Sequence, residues 1–145
     1  MRELLEKLLL PGVHFAALIH LDGYRLESVA QTPGPAAEIR ADDLSVLAAA
    51  LCGAAQAVGG QFPSGGNAEE MHLHETGAAL HFYWLNAQHV LILRSTPDFS
   101  DETARVFLQA IKPALLDALA HATGTEIIRF GDDIQLSDFS KITFD

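Results

Sequence analysis

The period of the hydrophobic positions changes along the chain, and each change marks an element. Residues 2–10 place Leu4, Leu5, Leu8 and Leu9 at helical spacing before Pro11-Gly12 stops the run, which predicts a short amphipathic helix. Two extended runs follow, "GVHFAALIH" and "GYRLESVA", joined at Asp22-Gly23. That pair suits a type I′ hairpin, whose two central positions both need positive φ, and it predicts Ile19 opposite Leu26 and His20 opposite Arg25. The first run is apolar on both faces (Phe15, Ala17 and Ile19 against Ala16 and Leu18), whereas the second carries Arg25, Glu27 and Ser28. Residues 13–21 are therefore expected to form a central strand and 24–30 an edge.

"QTPGPAAE" reads as a turn-rich link, after which Asp42 is placed to cap a helix opening with "LSVLAAALCGAAQAV", Leu44 to Val58. That stretch holds no charged residue. Leu44, Leu47, Leu51, Ala54 or Ala55, and Val58 form a seam expected to pack on a sheet. The opposite face, Ser45, Ala48, Ala49, Cys52 and Gln56, is small and uncharged, and suits another helix better than water. At ~1.5 Å per residue the stretch spans roughly 22 Å against a hydrocarbon core of ~30 Å, so insertion into a membrane is not expected.

Beyond the loop "FPSGGN" come three β-type runs, "EEMHLHE", "ALHFYWL" and "HVLILRS", separated by Thr76-Gly77 and "NAQ". Val90 to Leu93 is apolar throughout and reads as a central strand; residues 71–75 alternate and read as the other edge. The last long helix begins at Ser100 with Asp101 and Glu102 in its first turn. It carries Phe107, Leu108, Ile111, Leu115 and Leu119 on one face, contains Pro113, and is expected to close near "HATG". Residues 1–122 thus read as one α/β domain. Residues 123–145 hold "EIIRF", "IQL" and "ITF" between polar residues and read as an arm that docks on its own domain or on a partner.

Charge narrows the possible partners. The 145 residues contain 19 acidic and 9 basic side chains, for a net charge of −10, and the basic ones are scattered singly, so neither nucleic acid nor an anionic membrane is an expected partner. Cys52 is the one cysteine, which excludes an internal disulfide and suits a reducing, cytoplasmic setting. The N-terminal run is interrupted by Glu3, Glu6 and Lys7 and does not read as a signal peptide.

Seven histidines are the first chemical candidates. If Thr76-Gly77 is a two-residue turn, His72 lies across from His81 with His74 on the same sheet face, so that three imidazoles could converge on one metal. No carboxylate or cysteine joins them at a familiar ligand spacing, and the plainer reading is the polar outer face of an edge strand. No metal or other cofactor is therefore expected. G-x-S-x-G, a P-loop, H-E-x-x-H and a dinucleotide fingerprint are all absent, and Cys52 among alanines reads as an unreactive thiol. An enzyme with its own catalytic residues is not expected.

The order of these pieces resembles the roadblock (dynein light chain) family, from the Leu-rich helix "ELLEKLLLPGV" and the hairpin "ALIHLDGYRLESVA", through the Ala/Leu-rich helix after "DDLS", to "VLILRS" and "IKPALLDAL". The resemblance covers roughly residues 2–122. It implies a profilin-like α/β sandwich: a five-stranded antiparallel sheet in the order 2-1-5-4-3, with one helix on one face and two on the other. It also implies a homodimer joined through the central helix and the third strand, which here places Leu44, Ser45, Ala48, Ala49, Cys52 and Gln56 on the helix and Glu70, Met71, His72, Leu73 and His74 on the strand. Bacterial MglB-like members bind a small Ras-like GTPase on the paired central helices, and some accelerate its GTP hydrolysis. The expected partners are accordingly a second copy of the chain and such a GTPase.

Overall fold

The computed structural model describes residues 1–60 and 69–134, with side chains described up to His121. The loop "FPSGGN", the "IQL" piece of the arm after Ile134, and the "ITF" piece lie outside the described residues. The elements are α1 (Arg2–Glu6), β1 (Val13–His20), β2 (Tyr24–Ala30), α2 (Pro35–Gly59), β3 (Glu70–His74), β4 (Ala79–Trp84), β5 (His89–Ser95) and α3 (Asp101–Ile134). The five strands form one sheet in the order β2-β1-β5-β4-β3, antiparallel at every junction. The polar strands β2 and β3 are its edges and the apolar β1 and β5 lie inside, as their side-chain patterns predict.

Side-chain alternation divides the sheet into two faces. Ala17, Ile19, Phe82, Trp84, Val90 and Ile92 share one buried cluster with Ala48 and Cys52 of α2, which makes this the α2 face. Leu18, His81, Leu91 and Leu93 are buried on the other. There Arg2 of α1 bonds Glu27 of β2 at 3.0 Å, and the start of α3 reaches the sheet through Asp101 and Arg105. The sheet, α1, α2 and the first turns of α3 belong to one compact unit, Met1–Ala110; a second begins at Ile111 and contains the rest of α3.

Three boundaries differ from the sequence reading. The helix α2 begins at Pro35, inside the supposed link, with Gly34 as its N-cap residue and Asp42 in its interior. Proline at the first helical position has the right φ and lacks only an N–H that would have no intrahelical acceptor. Asp42 instead accepts a hydrogen bond from Arg25 Nε of β2 at 2.9 Å. At 25 residues α2 exceeds its charge-free stretch and, unlike that stretch, is long and apolar enough to cross a membrane by length and composition; one side of this apolar helix is used by the sheet.

At the β1–β2 hairpin only Gly23 takes a positive φ, at 105°, and Asp22 does not. The turn is therefore a three-residue loop in which His20 pairs Tyr24 and Ile19 pairs Arg25. A bulge between Leu18 and Ile19 leaves Leu26 without the partner expected for it. The imidazole of His20 stacks on Tyr24 at 4.8 Å.

α3 opens as expected, with Ser100 Oγ accepting the N–H of Thr103. It then continues through "HATG" to Ile134. One interior glycine costs a helix about 1 kcal/mol, and no proline follows Gly124 to end it.

Candidate functional site

The orientation of α2 is the reverse of the one its seam suggests. Ala41, Ser45, Ala48 and Cys52 are buried on the sheet, while Leu47, Val46 and Val58 are 69%, 60% and 61% exposed. The cause lies in the strands. Ile19, Phe82, Trp84 and Ile92 already fill the layer between sheet and helix, so only small side chains allow the helix backbone to come close. Ser45 enters this layer with its hydroxyl satisfied, donating to the carbonyl of Ala41 at 2.7 Å. Ser45, Ala48 and Cys52 are therefore core residues and do not form an outer face; Ala49 and Gln56 are half-buried beside them.

The outer stripe has two distinguishable flanks. Asp42 and Glu38 turn toward Arg25 of β2. At about 100° of rotation per residue, Arg40, Leu44, Leu47, Leu51 and Val58 fall on the opposite flank, toward β5 and β4. There Leu44, Leu47 and Arg40 line a cleft of about 670 Å³ with Phe15, Leu80 and Arg94. Register continues the floor outward: Met71 pairs Phe82 and Leu73 pairs Leu80, so Met71 and Leu73 share the α2 face of the sheet. Leu73 is 37% exposed and Met71 is half-buried. An apolar trough thus runs from Leu44 and Leu47 over Leu80 to Leu73 and Met71 on β3, the outermost described strand of the sheet, and Leu51 and Val58 share the helix stripe of Leu47.

Glu70 and His72 mark that edge on the opposite face. Arg105 of α3 holds the carboxylate of Glu70 through both its Nε and Nη2, at 2.7–3.0 Å. These bonds, set against a smaller effect of burial, keep the Glu70 carboxyl down at about 2. The pairing of His72 with His81 is the one that the Thr76-Gly77 turn predicts. Their Nδ1 atoms lie 2.8 Å apart, and Asp101 Oδ1 lies 3.1 Å from His81 Nδ1. His74 is exposed at the end of the strand and is not among the three converging groups; Asp101, which sequence spacing did not single out, takes its place.

Compared by sequence, the chain matches no family model and no curated protein. Compared by structure, it is similar to a Roadblock/LC7 domain from Streptomyces avermitilis (TM-score 0.67, 17% identity, covering 80% of this chain and 98% of that one). It is also similar to MglB from Myxococcus xanthus (0.67, 14%, 83% and 91%) and to an MglB in a tetrameric arrangement (0.64, 20%, 78% and 82%). The chain has the Roadblock/LC7 fold.

Within this Roadblock/LC7 fold the sequence-derived contact residues divide into two groups. Glu70, Met71, His72, Leu73 and His74 form the edge strand, where the resemblance places the third strand. On the central helix, Leu44 lines the trough, whereas Ser45, Ala48 and Cys52 lie beneath the helix. Leu47, Leu51 and Val58 hold the outward position, and sequence reasoning had placed them on the sheet. Cys52 supplies a direct check. Burial raises its thiol to about 11 from an ordinary 9.0, a roughly hundredfold loss of thiolate. Its reaction with a thiol reagent at neutral pH is expected to be at least ~100-fold slower than in the urea-unfolded chain. Equal rates would place Cys52 on the surface.

Proposed function

We propose that this chain is a homodimeric regulatory scaffold that binds a small Ras-like GTPase. The observation that carries the reading is the exposed apolar wall of α2 beside β3, a sheet edge that no other described strand pairs. Leu47, Leu51 and Val58 on this wall, with Ile39 and Val46 on a second flank of the helix, are exposed, and so much open apolar surface on one element marks an interaction surface. A second copy meeting the β3 edge around a twofold axis would extend the sheet and lay its own α2 over the trough. The paired helices would then present one continuous surface to the GTPase. Likeness to MglB structures, one of them tetrameric, supports self-association of this kind. The scaffold needs no catalytic residues of its own, because GTP hydrolysis can be accelerated by positioning groups that the GTPase already carries.

The test combines mass with binding. Light scattering is expected to give twice the chain mass at micromolar concentration. Recombinant Ras-like GTPases from the same cell, loaded with GDP or with a GTP analogue, are expected to bind the dimer with a preference for one nucleotide state. A dimer that binds neither state would be a structural module of another complex. A monomer at every concentration would overturn the reading of the trough.

A further inference from the structure

His72, His81 and Asp101 each bring one possible ligand atom within 4.8 Å of the other two. Ser95 Oγ donates to the carbonyl of Thr96 at 2.9 Å, so its contact with His81 Nε2 at 2.8 Å requires the hydrogen to be on His81 Nε2. Glu70, held ionised by Arg105, accepts from His72 Nε2 at 2.7 Å, so that nitrogen also carries a hydrogen. A neutral imidazole has only one N–H. Both Nδ1 atoms are thereby left as acceptors 2.8 Å apart. Asp101 Oδ1, 3.1 Å from His81 Nδ1, is buried with no hydrogen-bond partner among the described residues, and Asp101 Oδ2 is 3.8 Å from His72 Nδ1.

One added proton on His81 Nδ1 would have to be shared between His72 Nδ1 and Asp101 Oδ1. A cation satisfies all three. Neighbouring ligands of a tetrahedral ion with bonds of ~2.0–2.1 Å stand about 3.3 Å apart; the two Nδ1 atoms at 2.8 Å and the His81 Nδ1–Asp101 Oδ1 pair at 3.1 Å are near that value, and one ligand atom from each of the three residues lies within 4.8 Å of the other two. Both outer nitrogens have the partners that a metal-bound histidine requires, a carboxylate for His72 and a hydroxyl for His81, and these fix the tautomer that turns Nδ1 inward. His81 is fully buried, so its ring is held in place by the packing around it.

We propose that His72 Nδ1, His81 Nδ1 and a carboxylate oxygen of Asp101 form a binding site for a divalent first-row metal ion of the zinc class, with water as fourth ligand. The ion ties edge strand β3, strand β4 and the first turn of α3 together at one point. Two nitrogens and one oxygen favour zinc, cobalt or nickel over calcium or magnesium, which take all-oxygen sites. The site stands apart from the trough, which lies on the other face of the sheet, and does not depend on the proposed GTPase.

Titration of the full, metal-stripped chain with Co²⁺ and then Zn²⁺ tests the assignment. One equivalent of Co²⁺ is expected to give visible d–d absorption that Zn²⁺ abolishes, with the Tm rising when Zn²⁺ is bound. Asp101→Asn and His72→Gln, both at partly exposed positions, are expected to fold with unchanged circular dichroism and to weaken binding at least ~100-fold, while His74→Gln binds as the parent does. Absence of a stoichiometric Co²⁺ spectrum from the folded parent would overturn the site. Equal affinity in Asp101→Asn and His72→Gln would overturn it as well, since the ion would then be held elsewhere. Should either variant lose its fold, the histidine ring nitrogens of the parent can be followed by NMR: a zinc-induced shift at Nδ1 of His72 and His81 is expected, and its absence counts against the site.

Discussion

Ala48→Glu is expected to unfold the domain rather than to split an assembly of folded chains. Ala48 is 2% exposed and sits in one cluster with Ile19, Phe82, Trp84 and Ile92. A glutamate there must displace well-packed side chains, which costs about 1–3 kcal/mol, and must also place a carboxylate among apolar groups with no donor to receive it. The combined cost is about 3–5 kcal/mol, a large part of the 5–15 kcal/mol typical of a domain's stability. Thermal melting followed by circular dichroism is expected to show a Tm lower by about 10 °C or more, with loss of soluble protein. A soluble, monomeric Ala48→Glu variant with the parent's Tm would return Ala48 to the outer face and refute the packing of α2.

The same residue shows what could be read from the sequence. Helical periodicity in Leu44–Val58 identifies two stripes correctly, one of large and one of small side chains, and neither carries a charge to mark the solvent side. Pattern alone therefore leaves the choice to side-chain size, and the larger stripe looks like the core. The deciding volume belongs to the strands: Ile19, Phe82, Trp84 and Ile92 occupy the layer first. That information is tertiary, distributed over three strands, and has no local signature in α2.

The histidine cluster divides in the same way. The facing of His72 and His81 follows from a two-residue turn and the twofold period of strands, both local, and the structure has that register. Asp101 lies twenty positions beyond His81, in the first turn of a helix that meets the other face of the sheet there, so no spacing rule brings it to the pair. The β1–β2 hairpin shows a subtler limit. Asp-Gly announces the turn, but the number of loop residues depends on whether Asp22 adopts a positive φ. It does not, and the register shifts at Leu18. The edges, by contrast, were legible from the charges of β2 and the alternation of β3, because solvent exposure acts directly on side-chain type.

Paired substitution of the outward wall, Leu47→Asp with Val58→Asp, is expected to abolish self-association while the fold survives. Both side chains are more than half exposed in the single chain, at 69% and 61%, so the folded chain loses little when they change; surface substitutions usually fall within about 0.5 kcal/mol. In the proposed dimer the same positions lie at the seam between the two α2 helices. Burying a leucine or valine there contributes about 1.5–3 kcal/mol. A twofold interface counts each substitution twice, so four apolar contacts become four carboxylates on a chain already at −10. Even after discounting for partial burial, a loss above about 4 kcal/mol corresponds to at least ~1,000-fold weaker association. Light scattering should therefore give the monomer mass at concentrations where the parent is dimeric, with a Tm close to that of the parent chain once dissociated. If the double variant keeps the dimer mass, the trough is not the contact between copies. If its far-ultraviolet spectrum collapses, Leu47 and Val58 hold the domain together from within, and the assignment of the two α2 faces is wrong.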